Sequence, residues 1–249
     1  MTFSDAKLII FDLDSTLARS KSSMTPSMTE TLGHLLTKKK VAVISGGNMS
    51  QFELQFLGSF NTKDNFQHLL LMPTSGTRLY VYLDNGWSLV YSKDLTPGEK
   101  QKINDAFSEV FLNIEYDAPS EVHGELLEDR DSQITFSALG QDAPLDQKST
   151  WDPDHKKREE IVDALQKIIP EFNIQIGGTT SIDVTAMGIN KASGVHSIMN
   201  YLNVKPEEVI FVGDALFPGG NDYPVKETGV ECIKVEDPTD TERLIKSWL

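Results

Sequence analysis

Apolar positions along the chain fall into short runs, and the character of those runs changes twice. Leu8-Ile9-Ile10-Phe11 is continuous and β-favouring, the pattern of a strand buried on both faces. Lys7–Phe11 is predicted as a strand and Pro26–Lys39 as a helix, with Thr25 as its cap and Pro26 in its first turn. Val41–Ile44 follows as a second strand, then the loop Ser45-Gly46-Gly47-Asn48, a helix over Met49–Leu57 and a third strand over Leu69–Met72. This β-α-β-α-β order predicts a parallel, doubly wound sheet.

Beyond residue 77 the pattern becomes antiparallel. Arg78–Leu83 and Trp87–Tyr91 flank Asp84-Asn85-Gly86, a hairpin signal. Thr96 and Glu99 have capping-box spacing and open a helix to about Leu112. Glu121–Leu126 and Gln133–Ala138 read as strands joined by the polar turn 128–132. Asp154–Ile169 reads as an amphipathic helix ended at Pro170, and Asn173–Ile176 and Ser181–Thr185 as short strands. The alternating pattern returns after Gly188: helix Lys191–Leu202, strand Val209–Val212, short helix Asp222–Thr228, strand Val230–Val235 and helix Thr239–Trp248. The expected fold class is α/β. A Rossmann-like doubly wound core comprises residues 1–82 and 187–249, and an α+β cap domain with an antiparallel sheet is inserted as residues 83–186. Leu83-Asp84 and Ala186–Gly188 are the hinge candidates.

Composition narrows the function classes. The 249 residues are 39% hydrophobic and 24% charged, as in globular proteins. A formal net charge of −14 argues against a general nucleic-acid binder, although a local cluster of Lys and Arg can still hold a small anion. Cys232 is the single cysteine, which rules out a disulfide within the chain and predicts a reducing cytoplasm. Its expected role is that of a small buried apolar residue. No basic segment followed by an apolar run opens the chain and no apolar run is long enough to span a bilayer, so neither a leader nor a membrane partner is expected.

Candidate chemistry sits at the strand ends. Asp12 and Asp14 close the first predicted strand, at the edge where open α/β sheets bind ligands. Acids gathered there call for a compensating divalent cation, Mg²⁺; an ordinary Asx-capped turn is the alternative for D-x-D-x-T standing alone. Ser45 and the backbone N–H groups of its loop suit a phosphate oxygen, unless the loop is merely a loop. Lys191 reads either as a charge-neutralising group or as a solvated helix lysine. Asp214 directly follows the strand Val209–Val212 and Gly213, and Asp222 comes eight residues later. Together these supply a carboxylate to attack phosphorus, a second to handle the proton, and a lysine and metal to neutralise charge.

The four segments, in this order, resemble the haloacid dehalogenase (HAD) superfamily of phosphatases and phosphomutases. The large insertion between the Ser45 and Lys191 segments is similar to the type IIB cap group. Ile176-Gly177-Gly178-Thr179-Thr180-Ser181-Ile182-Asp183-Val184, with Gly188 and Lys191, resembles the I-G-G-x-x-S-F-D-V…G-x-x-K stretch of eukaryotic-type phosphomannomutases. Gly213-Asp214 through Gly219-Gly220-Asn221-Asp222 resembles their G-D-x-x-x-x-G-G-N-D. The resemblance implies that Asp12 is the nucleophile and Asp14 the general acid/base, with its backbone carbonyl on Mg²⁺. It implies metal carboxylates from Asp12 and Asp214, with Asp222 in support, and a phosphoryl group held by Ser45, Gly46 and Lys191. Ser181 and Asp183 would face the cleft from the cap and bind a sugar.

Departures from that pattern carry information too. Ser15 stands where the family usually has glycine, and Asp129-Arg130-Asp131-Ser132-Gln133 replaces its F-R-N-G-M. Gln141 replaces the arginine that follows glycine. A mutase must grip the phosphate that is not reacting, which arginine forks do best. Arg130 and Lys148, with Lys21, would form a reduced clamp; the alternative makes both lysines solvated. The expectation is therefore a Mg²⁺-dependent phosphatase acting on a small phosphorylated sugar. A phosphomannomutase interconverting hexose 1- and 6-phosphates is the alternative, and the intact acids disfavour a non-catalytic sensor. The family resemblance also implies a homodimer through the cap, for which Phe107, Phe111 and Tyr116 are candidates unless they form the cap core.

Overall fold

The computed structural model describes residues 3–20, 22–114 and 119–249, so Lys21 and Tyr116 lie outside the described residues. Two compact units are present, one formed by Met1–Ser92 with Asn190–Leu249 and the other by Lys93–Ile189.

The first unit is built on a seven-stranded sheet. Its strands are β1 (Leu8–Asp12), β2 (Lys40–Ile44), β3 (Leu69–Met72), β4 (Arg78–Leu83), β5 (Gly86–Ser92), β10 (Val209–Gly213) and β11 (Glu231–Lys234), in the order β11-β10-β1-β2-β3-β4-β5. The five strands from β11 to β3 are parallel, and β4 and β5 are antiparallel. Strand alternation divides the core in two. Ile9, Phe11, Val41, Val43, Leu69, Leu71 and Val212 face a cluster with Leu32 and Leu35 of α1 (Pro26–Leu36). Leu8, Ile10, Ala42, Ile44, Leu70, Met72 and Phe211 face another with Val195 and Ile198 of α6 (Lys191–Leu202). Both faces are thus covered, as parallel sheets require. Helices α2 (Met49–Gln55) and α7 (Pro238–Trp248) complete the unit.

The hairpin at Asp84-Asn85 forms as expected, both residues taking positive φ (+48° and +64°), the geometry of a type I′ turn. It belongs to the large sheet, however, because β4 pairs with β3 through Leu70↔Val81 and Leu71↔Tyr80. The units divide at Ser92/Lys93 and Ile189/Asn190, later than the predicted crossings at both ends. Helix α2 also stops at Gln55, short of Leu57, and residues 223–228 form a 3₁₀ helix.

The second unit pairs β6 (Leu127–Asp129), β7 (Gln133–Ser137), β9 (Ser181–Ala186) and β8 (Phe172–Gly177) in that spatial order, all antiparallel. Ile134, Phe136, Ile182 and Val184 alternate onto one face. They pack with Ile103, Phe107 and Val110 of α3 (Pro97–Asn113) and Ile161 and Leu165 of α5 (Lys156–Ile168). Phe107 and Phe111 stack around Phe136, so both belong to this core. Gln133, Thr135 and Ser137 alternate onto the opposite face, in register with Thr185, Asp183 and Ser181.

One expectation fails in this unit. Residues 121–126 are not a strand. The N–H and carbonyl of His123 bond to Leu139 and Asp142 (both 2.9 Å), and Gly140, at φ +82°, packs so closely that a Cβ would lie 2.1 Å from the His123 carbonyl oxygen. The segment is therefore held as a loop, leaving the short β6 to pair. The helix expected over 154–169 forms as α5, preceded by a short helix α4 (Leu145–Trp151) that the pattern did not announce, with Pro153 and the left-handed His155 (φ +63°) between them.

Candidate active site

The central acids converge because of the strand register. Leu8–Phe11 runs beside Val209–Val212 in parallel, so Asp12 at the end of β1 and Asp214 just past β10 reach the same level. This is also where the connections diverge, to β2 and β3 on one side and β11 on the other, the crevice at which such sheets bind ligands. One carboxylate oxygen each from Asp12, Asp214 and Asp222 lies within 4.8 Å of the other two. Asp12 and Asp222 are buried and Asp214 is half-buried.

Lys191 is the first residue of α6, behind the Asn190 cap that exchanges hydrogen bonds with Ser193. Only 2% exposed, it is not the solvated helix lysine of the alternative reading. Its Nζ donates to Asp12 and, at 2.7 Å, to Asp222 Oδ1. Burial alone would pull the ammonium down, but Asp12 and Asp222 outweigh it and hold the group above the ordinary lysine range. Burial pushes the Asp12 carboxyl well up; Lys191 opposes this, and Asp222, Asp14 and Asp214 add to it. Asp214 is raised too, by burial and then by Asp222. One ammonium among these acids leaves the cluster short of positive charge.

Asp222 is fixed from below. Its Oδ2 accepts the Ala215 N–H at 3.0 Å, and Gly213 lies so close that a Cβ there would meet Oδ2 at 2.3 Å. Asp14 lies in the turn after β1, where Ser15 N–H donates to Ala18 O at 2.7 Å. Ser15 takes φ +61°, which explains the glycine usual at this position. Gln55 Nε2 donates to Asp14 Oδ1 at 3.1 Å, a contact that no local pattern announced. Thr16 Oγ reaches Asp214 Oδ1 at 3.5 Å. Ser45, one residue past β2, is buried, and its Oγ accepts the Gly47 N–H at 3.1 Å. Gly46 lies between them, half-buried.

The donor set fits a hard divalent cation. Three carboxylates, with neither sulfur nor imidazole among them, are oxygen ligands of the kind Mg²⁺ takes. The cluster also lacks the positive charge such an ion would bring.

The second unit holds the remaining candidates. Asp183 Oδ1 accepts from Thr135 Oγ at 2.8 Å, Thr135 Oγ accepts from Gln133 Nε2 at 2.8 Å, and Asp183 Oδ2 rests where a Cβ on Gly177 would lie 2.7 Å away. Ser181 and Ser137 share a hydroxyl hydrogen bond at 3.1 Å. Arg130 donates through Nε and Nη2 to Glu128 Oε2, at 2.9 and 2.7 Å. Lys148 is buried, contrary to the solvated alternative, and its Nζ donates to the Gln141 carbonyl at 2.6 Å. Arg158, which the sequence reading missed, is fully buried. Its Nε donates to Asp152 Oδ2 at 2.8 Å, and its Nη1 donates to the carbonyls of Gly177 and Gly178 at 3.2 and 2.9 Å.

The chain is similar to known proteins along nearly its whole length. "Phosphomannomutase 2" of Dictyostelium discoideum is 27% identical over 97% of this chain and 96% of its own length. The phosphomannomutase of Saccharomyces cerevisiae is 26% identical over 96% and 92%. Among solved structures, an IMP-bound Plasmodium falciparum IMP-nucleotidase superposes with a TM-score of 0.72 at 18% identity, over 99% of this chain and 68% of that one. A haloacid dehalogenase-like hydrolase from Bacteroides thetaiotaomicron gives 0.63 at 15% identity, over 98% and 100%. Residues 9–225 match the haloacid dehalogenase-like hydrolase family, a span that carries all of the acids and the lysine described above, and the chain belongs to that family.

Proposed function

We propose that this chain is a Mg²⁺-dependent phosphatase of small phosphorylated sugars that works through an aspartyl phosphate. The observation carrying the phosphoryl-transfer reading is the buried Lys191 ammonium bonded to both Asp12 and Asp222 beside Asp214. Asp12, Asp214 and Asp222, with the Asp14 backbone carbonyl, would hold Mg²⁺. Bound there, the ion would supply positive charge against the phosphoryl oxygens beside the carboxylates.

Asp12 attacks phosphorus through a carboxylate oxygen, and the bond from phosphorus to the sugar oxygen breaks. Asp14 gives that leaving oxygen its proton. Asp14 then takes a proton from water as the water oxygen attacks phosphorus, releasing phosphate and restoring the Asp12 carboxylate. Ser45, the Gly46 backbone and Lys191 hold the equatorial oxygens in both steps. Gln55, bonded to Asp14 Oδ1, keeps that carboxyl oriented. Ser181 and Asp183 supply acceptors and donors for sugar hydroxyls. The single cysteine suits a reducing cytoplasmic location.

Hydrolysis is preferred to mutation of the phosphate position for a specific reason. Gln141 carries no charge, the Arg130 fork is engaged by Glu128, and Lys148 donates to a backbone carbonyl. A second phosphate would meet one fewer arginine fork than the mutase pattern provides. The relatives named phosphomannomutase support the second reading, interconversion of hexose 1- and 6-phosphates. A panel of sugar phosphates with Mg²⁺, and a nucleoside monophosphate as control, separates the two. Release of inorganic phosphate without isomerisation is expected. Conversion of mannose 1-phosphate to mannose 6-phosphate, dependent on a hexose bisphosphate and without phosphate release, would overturn the phosphatase reading.

A further inference from the structure

Three successive residues just past β3 occupy the left-handed region: Thr74 (φ +49°, ψ 51°), Ser75 (φ +58°, ψ 29°) and Gly76 (φ +80°). Glycine takes this conformation readily, but residues with a β-carbon do not, and Thr74 is β-branched as well. Such strain persists only where the surroundings over-determine it.

Here the surroundings are two functional segments. The N–H groups of Thr74 and Ser75 donate to the carbonyls of Gly47 and Ser45, both at 2.8 Å, so the turn holds the Ser45 loop by its backbone. On its other side the turn meets α6. A Cβ on Gly76 would lie 2.7 Å from the Gly194 Cα. A Cβ on Gly194 would lie 2.8 Å from Ile44 Cδ1 and 3.0 Å from the Ser75 carbonyl oxygen. Gly194 is three residues, one helical turn, beyond Lys191. Tyr91 Oη donates to the Gly76 carbonyl at 3.0 Å and is joined by a side-chain hydrogen bond to Ser197 of the same helix. Inside the turn, Thr77 Oγ donates to the Thr74 carbonyl at 2.9 Å.

We propose that the turn Thr74-Ser75-Gly76, clamped by Gly194 and Tyr91, is the positioning element that sets the gap between the Ser45 hydroxyl and the Lys191 ammonium. The proposal rests on the reading of those two groups as phosphoryl-holding. Ser45 and Lys191 are far apart in sequence and belong to separate elements. The turn bonds to the loop of one and packs without room for a methyl group against the helix of the other. Displacing the helix by a few tenths of an ångström widens the space in which three phosphoryl oxygens must be met at once.

Two variants test it: Gly194→Ala, which inserts a methyl group at the contact, and Tyr91→Phe, which removes one oxygen and leaves the ring. Inorganic phosphate affinity is measured by calorimetry with Mg²⁺ present, and kcat and KM are measured well below the melting temperature. Gly194→Ala is expected to weaken phosphate binding and lower kcat roughly tenfold or more, and Tyr91→Phe roughly threefold, with KM for the sugar phosphate changing less than kcat. Folded variants that melt earlier but bind phosphate and turn over like the parent would overturn the proposal and leave a purely structural turn. If Gly194→Ala does not fold, Tyr91→Phe decides alone. A parent protein that neither binds nor releases phosphate would bring down the phosphoryl-site reading itself, and the positioning role with it.

Discussion

Two of the buried ionic clusters among the described residues, one in each unit, are balanced differently. In the second unit Arg158 Nε meets the Asp152 carboxylate, and Nη1 and Nη2 reach backbone carbonyls of Gly177, Gly178 and Asp152. Burial would raise the Asp152 carboxyl, but hydrogen bonds from Arg158 and from the Lys157 backbone outweigh it and hold the group below its ordinary range. In the first unit a single ammonium faces Asp12 and Asp222, with Asp214 beside them, and burial raises both Asp12 and Asp214. A paired cluster fastens a loop. A cluster left short of positive charge is unfavourable by itself, and it becomes reasonable where a cation and a phosphoryl group complete it.

The sharpest way to break this comparison is to remove one charge from each cluster. Asp12→Asn is expected to lower kcat by about 10⁴-fold or more, on the scale of other lost covalent nucleophiles, while melting within a few degrees of the parent. Near-parental turnover would remove Asp12 from the nucleophile role. Arg158→Met should do the reverse, destabilising the protein by roughly 3–5 kcal/mol because Asp152 is left buried and unpaired, as read by denaturant unfolding. The pH dependence follows from the lowered Asp152: its stabilisation is present above the ordinary carboxylate range and is lost as pH falls through its depressed value. Arg158→Met should accordingly flatten the acid limb of the stability curve.

Adding Mg²⁺ sharpens the contrast from the other side. At a hundredfold excess over its dissociation constant it should stabilise the parent by about 2.7 kcal/mol. Asp214→Asn should abolish most of that gain, and Asp152→Asn should leave it in place. An equal Mg²⁺ response in Asp214→Asn would detach the cation from the acidic cluster. The smallest expected effect concerns Ser15. Replacing it with glycine relieves the positive φ and should raise stability by about 1 kcal/mol or less, because the freer unfolded chain offsets part of the gain. A clear loss in thermal melting would show that the Ser15 side chain contributes more than its backbone costs.

The two clusters also differ in how plainly the sequence announces them. Asp12, Asp214 and Ser45 were legible because phosphoryl chemistry asks for these residue types at strand ends, and parallel register carries strand ends to one place. Arg158 was not. It lies in Lys156-Lys157-Arg158-Glu159-Glu160, which reads as a solvated helix face until the path of the chain brings Asp152 and the Gly177-Gly178 carbonyls around it. Gln55 was hidden for the same reason, being an amide on a helix that meets Asp14 only through tertiary packing. The β4–β5 hairpin shows a different limit. Alternation and turn chemistry identify a hairpin, but its sheet is chosen by two residue pairs with β3 that no local pattern encodes. Residues 121–126 reverse the problem: their composition suited a strand, and backbone bonds to Leu139 and Asp142 took the groups that a ladder would have used.

Gly213 places a hydrogen atom directly beneath the Asp222 carboxylate. Even alanine at this position would shove that carboxylate aside, loosening its hold on the Lys191 ammonium and tipping the lysine towards Asp12 alone. Asp12, in its proposed role as nucleophile, would then be tied up by its own neighbour, so a change of one methyl group, at a residue that reacts with nothing, would silence the centre from underneath.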